Sequence, residues 1–311
     1  MRGLDISKQF YLQYGKPMLE EQFSDVIDRI AVGLVGDGSE CLGYDDEISQ
    51  DHDFEPGFCL WITAEDERKF GFRLERAYAK LPKEFMGIKR SALSPVGGNR
   101  HGVMIIEDFY EKFLGKNNYF DVNWWLSIPS FYLLNASNGE VFNDKLGEFS
   151  KIRDVLLKGY PEEIRRKKLA AHIVLMAQSG QYNYQRCLER NELGASQLAI
   201  FEFVKHTISS IYLLNNRYEP FYKWAYRGMR ELPILGNIDT SLQYLTELDN
   251  SKENVLIKLG IINDIVDLIV NELKNQNLTK ATCNDLEKHA YSIVDGIKDE
   301  YLRNIHIMIG A

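Results

Sequence analysis

Two apolar runs, Ile30–Val35 (IAVGLV) and Phe54–Thr63 (FEPGFCLWIT), bracket a segment that opens with Gly36-Asp37-Gly38-Ser39 and closes with Asp51-His52-Asp53. This arrangement constrains the fold more than any other stretch of the chain. Short runs of this composition read as strands, and the glycines between them provide for a tight turn. Eleven residues separate Ser39 from Asp51. Asp51 and Asp53 are two apart, so on a strand over 51–63 their carboxylates share one face while His52 points to the other. Pro56-Gly57 interrupts that strand and suggests a bulge or an edge.

The chemistry of these residue types is specific. Gly38 lets a backbone come close to a phosphate chain, and exposed N–H groups with the Ser39 hydroxyl can hold its oxygens. Two carboxylates on one face supply the hard oxygen ligands that suit Mg²⁺ or Mn²⁺. The plain alternative is that Asp-x-Asp marks a solvated turn or strand edge. The order Gly-Ser, then Asp-x-Asp, between two strand-like runs favours the metal and phosphate reading.

The pattern resembles the nucleotidyltransferase superfamily that includes polymerase beta and the antibiotic nucleotidyltransferases. Three further blocks, WWLSIPSFYLLNASNGEVFNDKLGEFSKIRDVLLKGYPEEIRRKKLA, SGQYNYQRCLER and YLLNNRYEPFYKWAYRGMRELP, are similar to a poorly characterised bacterial family. That family is a nucleotidyltransferase-like domain of unknown function with a helical tail, and the likeness spans most of residues 25–235. The resemblance implies transfer of a nucleoside monophosphate from an NTP, ATP by expectation, to an acceptor hydroxyl with release of pyrophosphate. Asp51 and Asp53 would hold the metal, and Gly38 and Ser39 the phosphates. In the superfamily a third carboxylate lies mid-strand in an apolar–acid–apolar triplet. The matching segment is His101–Asp108, and its acid slot holds Met104. Glu107 is the candidate third catalytic acid, with the first turn of a helix as its ordinary alternative.

Composition narrows the partners. The chain has 311 residues, 45% apolar and 26% charged, with mean hydropathy −0.30. This is sufficient for one large or two ordinary globular domains. A net charge of −8 lowers the expectation of a large nucleic-acid acceptor, which needs a basic face. A small-molecule acceptor is expected first, a cationic one such as an aminoglycoside suiting the negative field, with RNA or protein behind it. No run of eighteen apolar residues predicts a membrane span, and the N-terminus lacks a secretory apolar region. Cys41, Cys59, Cys187 and Cys283 are scattered without metal-ligand spacing, as in a reduced cytoplasmic protein.

Strand signals thin out beyond about residue 120, where helical periods take over. The expected fold is therefore α+β: a small mixed-sheet domain over 1–130, then an α-helical bundle over 131–311 that closes the nucleotide cleft. Residues 1–29, Ala64–Leu81 and Glu107–Leu114 read as helices in the first part. In the bundle, Tyr182, Arg186, Glu189 and Arg190 share a helical face, which offers either phosphate ligands and a base or an ion-pair lattice. Lys205 lies in the apolar run FEFVKHTISS and Lys223 between Tyr222 and Trp224. A buried lysine needs a partner, so both are read as contacts to the triphosphate. Asp45 and Asp46 are read as loop charges or a helix cap. Arg166 and His172 have the spacing of a helical ribonuclease family, with a basic helix surface as the bland alternative.

Overall fold

The structure, a computed structural model, describes residues 2–47, 55–90, 100–116 and 119–311. The chain divides into two compact units: 1–117 with 131–158, and 118–130 with 159–311. The fold is α+β, as the periodicities predict.

In the first unit, β1 (Ala31–Leu34) and β2 (Cys59–Ile62) pair antiparallel with Ala31 opposite Trp61. A two-stranded hairpin, β3 (Glu84–Phe85) and β4 (Ile88–Lys89), turns at Met86 and Gly87, both at positive φ. That is the backbone a two-residue hairpin needs for its twist. Strand β5 (Gly102–Ile105) runs parallel to β2, and β6 (Glu140–Asn143) pairs antiparallel with β1. The sheet order is β5-β2-β1-β6.

All four residues of β2 are buried, which explains the continuous apolar run CLWI: both faces of the strand are covered. Leu60 and Ile62 join Val32 and the N-terminal residues Phe10, Leu19 and Phe23 in one core. Trp61, on the other face, stacks on Phe149 with ring centroids 3.9 Å apart.

Two expectations need correction. Among the described residues the second strand covers only Cys59–Ile62. Glu55–Phe58 are not strand, and Asp51–Phe54 lie outside the described residues. A single cut at 130 also fails, because the segment 131–158 carries β6 into the first sheet. The reason is visible at Gly33, which sits between Cys59 and Val141 at a register shift. A Cβ there would fall 2.9 Å from Val141 Cα and 3.1 Å from the Trp61 ring, and against the Glu140 carbonyl. Only glycine allows both neighbours to close in. Gly33→Ala should cost about 1–3 kcal/mol, read as a lower urea midpoint. A midpoint equal to wild type would show that β6 is not held this way.

The second unit is helical. Helix Glu162–Met176 packs against Leu193–Leu214 and Leu286–Asp295. Lys167 is fully buried and donates to the carbonyls of Ile305 and His306, both at 2.9 Å, which ties down the C-terminal segment. No helix among the described residues is long and apolar enough to cross a membrane.

Candidate functional site

Strand β1 runs out into the turn, where Gly36 and Gly38 take φ values of 129° and 124°. Left-handed backbone of this kind is strained for any residue with a Cβ. At Gly38 the Cβ would also collide with the Arg100 guanidinium and the Glu40 carboxylate. Ser39 then opens the short helix Ser39–Leu42. The turn is held from outside. Gly36 donates its N–H to Asn138 Oδ1 at 2.9 Å and accepts from Asn138 Nδ2 at 2.8 Å.

Asp37, between the two glycines, is the hub. Its carboxylate accepts from Asn135 Nδ2 at 2.8 Å and pairs with Lys112 Nζ at 2.6 Å. Its carbonyl accepts from Arg100 Nη2 at 2.7 Å. The same Arg100 nitrogen pairs with Glu40 Oε1 at 2.5 Å. Burial pushes the Glu40 carboxyl above the ordinary range, and the Arg100 charge opposes that rise. Cys41 and Cys59 are buried beside this cluster, and burial pushes both thiols up, Cys59 to about 12. Neither is a thiolate near neutral pH.

The turn borders a cavity of about 350 Å³ within the first unit. Asp37, Arg100, Met104, Asp108 and Lys112 line it, with Glu75 from helix Phe72–Ala79 and Glu67 from the helical segment Glu67–Gly71 that leads into it. Val103, Ile105, Phe109 and Phe113 form its apolar wall. Four carboxylates thus face two cations. A polyanion fits only on the Arg100–Lys112 side or with a divalent cation, because unscreened acids repel it.

Gly38 and Ser39 follow directly on the cavity-lining Gly36 and Asp37. Asp51, His52 and Asp53 lie outside the described residues. Just after them, Glu55 meets His101 Nδ1 at 3.1 Å. Asp45 accepts from the Gly3 N–H at 2.7 Å, at the start of helix Gly3–Phe10, which is the capping reading. Glu107 is exposed in the first turn of helix Ile106–Leu114, the ordinary alternative, and does not line the cavity. The acid that lines it from that turn is Asp108. Met104, opposite Trp61, lines the cavity at the position where the superfamily pattern has its third carboxylate.

In the helical unit Arg186 lies 4.6 Å over the Tyr182 ring and donates to its hydroxyl, as their shared face predicts. Glu189 accepts from Gln185, not from Arg186. Lys205 and Lys223 correct the burial argument. Both are exposed: Lys205 pairs with Glu202 at 3.7 Å, and Lys223 lies 5.4 Å from the Trp224 ring. Neither needs an anionic ligand to account for its position. His172 is buried with its Nδ1 2.9 Å from His206 Nδ1, and Arg166 pairs with Glu162 at 2.7 Å. Tyr182 lines a separate cavity of about 720 Å³ within this unit.

Sequence reasoning missed Asp37, Arg100, Asp108, Lys112, Asn135 and Asn138. Asp108 and Lys112 carry a faint signal, as charges four apart on one helical face. Arg100 carries none, since it meets Glu40 across sixty residues.

No curated protein and no solved structure matches. Residues 125–225, about a third of the chain, match a family described as "Domain of unknown function (DUF4037)". The matched stretch includes Asn135, Asn138 and β6, which hold the Gly36–Ser39 turn against the sheet.

Proposed function

We propose that this chain is a Mg²⁺-dependent nucleotidyltransferase that moves a nucleoside monophosphate from an NTP to an acceptor hydroxyl, with a small molecule as the first candidate acceptor. The observation that carries the reading is the turn itself: two positive-φ glycines, Asp37 and Ser39 at the end of β1, beside a cavity with two cations. The pairing of β1 with antiparallel β2, and of β2 with parallel β5, adds support.

Asp51 and Asp53 are the residues assigned to the metal, because paired carboxylates present the hard oxygens that Mg²⁺ prefers. Among the described residues no group of three His, Cys, Asp or Glu side chains could hold an ion. When bound, such an ion neutralises charge on the transferred phosphate. Gly38 and Ser39 accommodate the phosphate chain. The scattered free cysteines suit a cytoplasmic location.

Met104 favours a second reading, a nucleotide-binding protein with weak or no transfer activity, because the slot for a third carboxylate is apolar. The test is a transfer screen with labelled NTPs and Mg²⁺ or Mn²⁺ against metabolite, antibiotic, tRNA and protein pools. Labelled product with pyrophosphate release is expected. Nucleotide binding without any product selects the second reading, and absence of binding overturns both.

A further inference from the structure

Two cations converge on the turn from distant parts of the first unit. Arg100 lies just before β5, 63 residues from Asp37, and Lys112 lies on helix Ile106–Leu114, 75 residues from it. Each reaches the same residue. Lys112 takes the Asp37 carboxylate, and Arg100 takes the Asp37 carbonyl together with Glu40. Both also line the cavity.

Their exposure differs in a useful way. The Lys112 side chain is 50% exposed, so its ion pair contributes little to the fold. The Arg100 side chain is 20% exposed and its partner Glu40 10%, so that pair is largely desolvated. A half-exposed lysine adds little as a fastener, yet it extends the positive wall that begins at Arg100. Planar guanidinium beside ammonium is the pairing that holds adjacent phosphate groups: Arg through a two-pronged contact, Lys as a point charge.

We propose that Arg100 and Lys112 hold the phosphate chain of a polyphosphate ligand at this turn. Asp37 is the positioning residue that keeps both cations there before the ligand arrives, its carboxylate on Lys112 and its carbonyl on Arg100. For a nucleotide as the ligand, the assignment rests on the nucleotidyltransferase reading. For the polyphosphate it rests on the cations alone. Glu40 competes with the ligand for Arg100, because its carboxylate already takes the guanidinium nitrogen that also donates to the Asp37 carbonyl. The remaining acids, Glu67, Glu75 and Asp108, make a metal-complexed polyphosphate the preferred form.

The experiment is titration calorimetry of the full chain with Mg²⁺ and either ATP or inorganic tripolyphosphate. Arg100→Gln and Lys112→Gln should each weaken both ligands about ten- to hundredfold, the loss of one charge-assisted contact. Glu40→Gln should tighten tripolyphosphate severalfold, an effect that a purely structural ion pair would not produce. Lys112→Gln keeps the test alive if Arg100→Gln fails to fold, because Lys112 is half exposed. If wild type binds ATP and Lys112→Gln binds it equally well, the phosphate assignment is overturned while the nucleotidyltransferase reading stands. Unchanged or weaker binding in Glu40→Gln overturns the competition at Arg100. If wild type binds tripolyphosphate through these residues but binds no NTP, the anion site stands and the nucleotidyltransferase reading falls. If wild type binds neither ligand, both fall.

Discussion

Asp51→Ala and Asp53→Ala should each reduce Mg²⁺-dependent transfer by about a thousandfold, equivalent to about 4 kcal/mol of lost transition-state stabilisation. Metal ligands are worth this much because phosphoryl chemistry gathers negative charge that few other groups can offset. The pair is placed by sequence between β2 and the Gly36–Ser39 turn, whose Gly36 and Asp37 line the cavity. Loss of a metal ligand alone should leave the thermal melting of the metal-free chain unchanged. Asp51→Asn and Asp53→Asn provide the same loss of charge with less change of shape. Wild-type-like metal and nucleotide titrations in all four variants would remove these residues from the site and, with them, the metal assignment.

Acidification should loosen the helical unit. His172 and His206 meet through their Nδ1 atoms at 2.9 Å between two packed helices. One must donate and the other accept, so the contact cannot survive protonation of both rings. His206 Nε2 lies 3.2 Å from Glu202, consistent with a chain in which His172 donates to His206 and His206 to Glu202. Burial pulls both imidazoles below their ordinary range; the Lys205 charge adds to it at both rings and Lys168 at His172, while Glu202 opposes the fall at His206. The unfolded chain therefore binds protons near pH 6.5 that the folded chain refuses, and stability falls as pH drops below that point.

Glu219 works in the other direction. Burial pushes its carboxyl up to about 7, while a hydrogen bond from Ser209 at 2.6 Å opposes the rise. Its contribution is full below the unfolded value near 4.5 and is lost as pH rises through 7. Between pH 6.5 and 5 two histidine protons thus stand against one carboxyl proton. The expected net effect is a loss of stability as pH falls, with the slope of about one proton, and Glu219→Gln should roughly double it. Lys168, pulled down to about 8 by burial, titrates above this window. Amide-exchange protection in helices Glu162–Met176 and Leu193–Leu214, measured across the window, reads the effect directly. Protection that is flat with pH, or a slope unchanged in Glu219→Gln, would contradict it.

The local code of this chain is largely legible. Ile30–Val35 became β1, Gly102–Ile106 became β5, and Glu107–Leu114 became a helix that ends at Gly115 with φ of 81°. These features depend on neighbours two to four residues apart, which periodicity reports. Strand β6 escaped because four half-buried residues carry almost no pattern, and its partner β1 lies some hundred residues earlier. Lys205 misled for a related reason. Its exposed stripe also holds Leu198, at 66% exposure, and Phe201, at 46%, so an apolar run conceals a solvent-facing edge.

What the sequence alone determined is therefore the α+β class, the position of the Gly36–Ser39 turn and most helices, since each follows from short-range sterics and hydrophobic spacing. Only the tertiary structure decided which side chains surround that turn. Asn135, Arg100 and Lys112 reach Asp37 across 98, 63 and 75 residues, and no local preference specifies such a meeting. It arises because β5 pairs beside β2 and β6 closes onto Gly33, which carries the segments next to those strands to the end of β1.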